Sequence, residues 1–193
     1  MTEIQERIEA SFEMDDEELK QELPDLLDAL EGELETLYEE SREDLSRLMD
    51  RLDETDAAEF AEDAPDVAAQ FQDFLWNVTS FVVEREEDLQ GNINVDAKVN
   101  FEATDSPMTG HLKVHEEEKR IEGGSEQLSD AEIHISGPTN VLSGMLTGST
   151  DPVQGFMAGE FEMDGPVDKG MQLAQVMTPV NEQLAGDDED AEA

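Results

Sequence analysis

The chain changes its hydrophobic period abruptly. In PDVAAQFQDFLWNVTSFVVEREEDL, the residues Val67, Phe71, Phe74, Leu75, Val78, Phe81 and Val82 form one broad apolar face at helical spacing. A few residues later INVDAKVNFEA alternates strictly. Ile93, Val95, Ala97, Val99, Phe101 and Ala103 are apolar, and Asn94, Asp96, Lys98, Asn100 and Glu102 between them are polar. A side-chain period of two puts these sets on opposite faces of a strand. Such a strand belongs to a sheet with one dry face, in the antiparallel manner. A long helix followed by one-sided strands predicts an α+β domain whose helices cover that face. Asp66 is expected to cap the helix. Trp76, the single tryptophan, lies off the centre of the apolar face and is expected at its boundary, with a place lining a cavity as the alternative. Asn77-Val78-Thr79 spells a glycosylation acceptor, but it lies within the helix and is set aside.

The rest of this half continues the pattern. Thr104-Asp105-Ser106-Pro107 supplies turn residues. MTGHLKVHEE follows with Met108, Leu112 and Val114 on one face, which suggests a hairpin. KRIEGG is a short third strand and GGSEQ a turn. AEIHISG alternates through Ala131, Ile133 and Ile135, and EFEMDG turns Phe161 and Met163 inward. Three helices are threaded among these strands. One has Pro138 at its first position, carries Val141, Leu142, Met145 and Leu146, and ends at Gly148. The next has Asp151 as N-cap before Pro152, carries Val153, Phe156 and Met157, and closes at Gly159. The last, VDKGMQLAQVMTPVNEQLA, has two apolar stripes: Val167, Gly170, Met171, Ala174 and Met177, and Leu173, Val176, Val180 and Leu184.

Residues 2–62 read as an acidic helical extension. Leu23, Leu26, Leu27 and Leu30, then Leu34, Leu37 and Tyr38, then Leu45, Leu48, Met49 and Leu52 recur at helical spacing. Pro24 is expected near a helix start, and Gly32 is expected to break or kink the run. The extension would form a hairpin or lid over the rest. Alternatively, the stripe Leu45, Leu48 and Leu52 would pair two copies as a homodimer. The division is then residues 1–65 (extension), 66–185 (α+β domain) and 186–193 (an acidic tail read as disordered).

Charge narrows the functional classes. The sequence has 52 acidic and 11 basic residues, a net charge of −41. Nucleic acid is thereby excluded as a partner, because phosphates need Lys and Arg. So is electrostatic docking on an anionic membrane. Apolar periodicity among the acids argues for a folded, halophile-like surface rather than disorder. The N-terminal residues lack the basic and apolar regions of a signal peptide, and no apolar run is long enough to span a membrane. These features predict a cytoplasmic protein without integral membrane association.

No chemistry stands out. Cysteine is absent, which excludes disulfides and thiolate ligands. His111 and His115 lie four apart on a strand, roughly 13 Å by strand rise, too far to share a metal. They and His134 are expected to face solvent. Acidic pairs are too common to mark a general acid–base dyad, and no nucleotide-binding or nucleophile motif occurs. The chain is therefore expected to be no enzyme, with no cofactor and no metal.

What remains is SGMLTGSTDPVQGFMAGEFEMDG, a soft stretch with few charges. Five of the nine methionines lie between Met145 and Met177. Methionine lines surfaces that accept several shapes, and the second stripe of the last helix needs an apolar partner. An apolar pocket, plain core packing and a protein interface all satisfy these facts.

In order and spacing, Leu142, Met145, Thr147, Gly148, Asp151, Pro152, Phe156, Met157, Gly159, Phe161, Gly165, Met171 and Leu173 resemble the C-terminal half of the sterol carrier protein 2 (SCP-2) family. The resemblance is close over residues 131–178, extends only to element order over 66–130, and leaves 1–65 uncovered. Glu160 stands where members commonly carry a basic residue. The resemblance implies a five-stranded mixed sheet with helices covering one face, and an apolar tunnel between them. It implies binding or transfer of a sterol-like lipid, isoprenoid, fatty acid or acyl-CoA without catalysis; the acidic surface points to a haloarchaeal member. The lining expected on that basis is Phe101, Leu142, Met145, Leu146, Phe156, Met157, Met171, Leu173 and Met177, closed from the long helix by Phe74, Val78 and Phe81. The competing reading is a structural scaffold, or an accessory subunit of a lipid-metabolising enzyme, with a filled cavity.

Overall fold

A computed structural model describes residues 3–40, 44, 46–48, 51 and 54–185. The fold is α+β. Two helices, α1 (Glu3–Ser11) and α2 (Asp16–Glu40), precede a short α3 (Ala57–Asp63) and the long α4 (Pro65–Arg85). A brief α5 (Glu87–Asn92) leads into β1 (Ala97–Ala103), β2 (Thr109–His115), β3 (Arg120–Gly124) and β4 (Ile133–Gly137). Then come α6 (Thr139–Thr147), α7 (Pro152–Ala158), β5 (Glu162–Asp164) and α8 (Val167–Ala185). The sheet has the order β3-β2-β1-β4-β5. It is mixed: β1 and β4 are parallel, and every other neighbouring pair is antiparallel.

Period two decides the sheet's faces. Ala97, Val99, Phe101, Leu112, Val114, Ile121, Ile133 and Ile135 are buried. Ile93 and Val95 are buried too, but they lie before β1 in the approach to the sheet. The opposite face is not uniformly wet. Asn100 is buried there, and its carboxamide donates to Leu128 O and accepts from Leu128 N, both at 2.8 Å. His111 meets Glu126 O at 2.6 Å in the same segment. His115 faces Glu122 at 3.4 Å, and His134 is exposed. No group of three or more metal-ligating side chains occurs among the described residues.

The helices stack in two layers on the dry face. α4 packs on β3 and also touches α2, α6 and α8. α2 and α4 run in the same direction, joined by a polar seam. Gln70 donates to Asp28 Oδ1 (2.9 Å), Asn77 to Glu31 Oε1 (3.0 Å) and Arg85 to Glu35 Oε1 (3.1 Å). Between the two helices and around them, Leu19, Leu23, Leu27, Leu30, Leu37 and Phe74 are fully buried.

Several local expectations are corrected. Pro24 and Gly32 both lie within the continuous α2; one row of buried leucines on either side of Pro24 holds the helix together despite the missing amide. The cap of α4 is Ala64 with Pro65 at the first position, so Asp66 falls inside the first turn. The long helix breaks at Glu86, which is extended at φ −106°, ψ 103°. Pro138 is the N-cap of α6 rather than its first residue. The glycines of GGSEQ belong to β3. Leu48 is buried within the chain; Leu45, Met49, Leu52 and the acidic tail lie outside the described residues.

Candidate functional site

α4 is buried on two sides, and this settles where its side chains go. One turn of helix advances 360° in 3.6 residues, so Trp76 stands nearly opposite Phe74 and Val78. Gln72, Trp76, Thr79, Ser80 and Val83 share the side facing the sheet. Ser80 donates to Ile121 O at 2.7 Å. Trp76 lies flat over Gly123, where a Cβ would come within 2.2 Å of the indole, and its ring stacks on Phe101 at 6.4 Å and 29°. Far from being a boundary residue, Trp76 is 2% exposed. Its position corrects the sequence expectation. Trp76 lies off the continuous apolar stripe because that stripe serves the other side of the helix.

Above Trp76 the sheet and helices leave an apolar cavity. Its floor is Phe101, Leu112 and Ile135 from the strands. α6 contributes Met145 and Leu146, α7 Pro152, Val153 and Phe156, and the β5 arm Phe161 and Met163. α8 closes the remaining side with Gly170, Met171, Leu173, Ala174 and Met177. The cavity volume is about 70 Å³, and the recess opens to solvent at its mouth. None of its lining residues is charged. Met171 lines the cavity while 36% exposed, so the cavity reaches the surface beside it.

Local chemistry explains why three short helices can frame this space. Gly148 (φ 90°) and Gly159 (φ 74°) end α6 and α7 in the left-handed conformation that L-residues avoid. Asp151 caps α7 by accepting from Gln154 N at 2.7 Å. α6 lacks a side-chain cap of its own, and the β1–β2 turn supplies one. Asp105 Oδ1 accepts from Thr139 N (2.8 Å) and Thr139 Oγ1 (2.5 Å). The Thr139 hydroxyl and amide hold the Asp105 carboxyl below its ordinary pKa. From α8, Asn181 donates to Met145 O at 3.2 Å and ties the end of α6 in place.

Of the residues expected to line a pocket, the structure brings together Phe101, Met145, Leu146, Phe156, Met171, Leu173 and Met177. Phe74, Val78 and Leu142 stand outside the lining, buried in the core. Phe81 faces away toward α2, edge-on to Tyr38 at 5.7 Å and covered by the Arg85 guanidinium at 3.5 Å. Met157 is 78% exposed, on the outer side of α7. Leu112 and Ile135, with Pro152, Val153, Phe161, Met163, Gly170 and Ala174, line the cavity without having been expected to, and Trp76 takes the alternative of its two expected places. The strand alternation that carries Leu112 and Ile135 marks a dry face, but not which part of that face lies under a gap.

Residues 84–178 match the model of the SCP-2 sterol transfer family. No curated protein matches the sequence. Among solved structures, a UbiJ-SCP2 ubiquinone synthesis protein is 14% identical, with 60% of this chain and 96% of that one covered and a TM-score of 0.43. Sterol carrier protein 2 from Yarrowia lipolytica, apo form, is 14% identical over 57% and 92%, at 0.42. A crystal structure of sterol carrier protein 2 is 12% identical over 60% and 95%, at 0.47.

Proposed function

Because residues 84–178 make this chain a member of the SCP-2 sterol transfer family, we propose that it binds a lipid in the cavity above Trp76 and carries it without chemical change. The uncharged, methionine-rich lining is the observation that supports this reading most. A lipid chain gains from such walls by dispersion and by leaving water. Met145, Met163, Met171 and Met177 have three side-chain torsions each, so they can move aside and convert the narrow recess into a chain-sized slot. No nucleophile paired with a base lines the cavity. No helix among the described residues is long and apolar enough to cross a membrane. The surface acidity suits molar salt, where self-repulsion is screened.

Native mass spectrometry with lipid extraction tests the proposal on protein purified in molar salt without detergent. A stoichiometric co-purified lipid, or saturable uptake of a fluorescent acyl or isoprenoid probe, is expected. Protein that emerges empty and takes up no probe would overturn it and favour an interaction scaffold with a closed core.

A further inference from the structure

The helices that precede the family-matched segment build a second chamber. It lies between α3, α4 and α6, walled by Leu23, Phe60, Ala61, Phe71 and Leu75. Its cavity volume is about 50 Å³ and it opens to solvent. α3 is held over it by its own cap, Asp56 accepting from Ala58 N and Glu59 N, and by Ala57 N donating to Asn140 Oδ1 at 3.0 Å. Leu146 lines this chamber and the first cavity alike, and so forms the partition between them.

At the far end of the chamber stands Gln72. It is 4% exposed, and its Nε2 is buried without any hydrogen-bond partner. A buried amide N–H without an acceptor costs more than a satisfied one gains. The position is nevertheless built for it. Nε2 lies over Gly110, where any Cβ would come within 2.0 Å. Beyond Gln72 a third recess begins, with Thr109 and Ser125 in its wall. Thr55, Ser143 and Thr147 also line the chamber, and the carboxamide stands where it meets the third recess.

We propose that this chamber is a binding site for the oxygen-bearing end of an uncharged lipid. The chain of that lipid would pass Leu146 into the first cavity, and its hydroxyl or carbonyl oxygen would accept from Gln72 Nε2 once the carboxamide turns off Gly110 toward the chamber. The inference rests on the lipid-carrier reading above and narrows its cargo. Neither chamber has a charged residue in its lining, and the chain carries a net charge of −41. A carboxylate or phosphate would be desolvated there with no cation to meet it. A neutral oxygen needs only a hydrogen-bond donor, and the Gln72 amide supplies one in the second chamber. The N-terminal helices thus select the polar end, and the family-matched cavity holds the tail.

The test measures binding of hexadecan-1-ol, palmitic acid and hexadecane, each delivered from cyclodextrin, to the full chain through Trp76 emission. Two variants accompany the wild type. Gln72→Leu removes the unpaired donor and is expected to raise Tm. Ser143→Leu fills the chamber from α6, where Ser143 is part of the lining. The wild type should prefer hexadecan-1-ol over palmitic acid, and each variant should bind the alcohol about tenfold more weakly. Hexadecane should change less than about twofold in Gln72→Leu. Equal affinity of wild type and both variants for the alcohol, or a preference for palmitic acid, overturns the second site while leaving the carrier reading intact. Failure of the wild type to take up any of the three overturns both.

Discussion

The layer around α2 and the layer of α6, α7 and α8 are both apolar, yet the first closes except at the chamber beside Leu23 and the second stays open. Around α2 the buried residues are leucines at helical spacing, and Leu19, Leu23, Leu27, Leu30 and Leu37 leave almost no surface to water. Across the molecule, methionines and short glycine-ended helices surround an unfilled recess. Leucine has few rotamers and meets its neighbours on a regular helix at fixed intervals, so such faces interdigitate to interior density. Helices of seven and nine residues, each ended by a left-handed glycine, cannot keep one register long enough to do so. Apolar content alone therefore does not separate core from cavity. Side-chain stiffness and helix length do.

The largest expected effect breaks this contrast directly. Leu27→Ala removes a fully buried side chain between long helices and should cost about 3 kcal/mol. Met177→Ala, which enlarges a space already present, should cost about 2 kcal/mol, the low end for such a truncation, because fewer contacts are lost. Denaturant unfolding of both variants in molar salt checks the pair. Equal losses would mean the cavity wall is packed as tightly as the leucine layer.

A second effect sharpens the comparison at the cavity floor. Gly123→Ala would put a methyl group into the Trp76 ring, so the indole must leave its seat on β3. Overpacking of this kind costs about 1–3 kcal/mol. Trp76 is the only tryptophan, so its emission reports the movement without labels. A red shift is expected together with weaker binding of lipid probes. Unchanged emission would show that the ring does not depend on Gly123.

The same contrast explains what could be read from the sequence. Period two in 93–103 and period 3.6 in 67–82 marked the α+β class, because each follows from the burial of one face. The glycine ends of α6 and α7 were legible because positive φ nearly demands glycine. The methionine stretch departs from ordinary core composition, but by itself it left pocket, core packing and interface open. The sheet-facing side of α4 was not legible. Gln72, Trp76, Thr79 and Ser80 look like a polar or interrupted face, and only the partners reveal otherwise: Gly123 under the indole, Ile121 O on Ser80 and the chambers beside Gln72. The seam between α2 and α4 was equally hidden, since its pairs lie 42–50 residues apart. In a chain with 52 acids, no single acid announces a long-range partner.

A third prediction turns the cavity into a leucine-type core. Ala174 lines the recess from α8, and Ala174→Leu would extend three more carbons into it. Filling an existing void commonly stabilises by about 1 kcal/mol, so Tm should rise in the empty protein. Uptake of lipid probes should fall by an order of magnitude or more. A variant that is stabilised and still binds would place the lipid elsewhere.

The smallest effect concerns the cap that starts α6 and so fixes the Met145–Leu146 wall. Asp105→Asn keeps the shape but weakens acceptance from the Thr139 hydroxyl and amide. It should cost about 0.5–1 kcal/mol at neutral pH, discounted because Asp105 is exposed. The sign of the pH dependence follows from the lowered carboxyl pKa. Folding favours the ionised form, so the contribution is fully present above the ordinary value near 3.8. It disappears as pH falls through the folded-state value. Total stability is a poor readout here, because protonating many acids also relieves repulsion. The difference between wild type and variant isolates the group. That gap should be constant from pH 7 down to about 5 and close on further acidification. A gap unchanged at the lowest pH where the protein stays folded would show that the Asp105 charge does not hold the α6 end of the cavity in place.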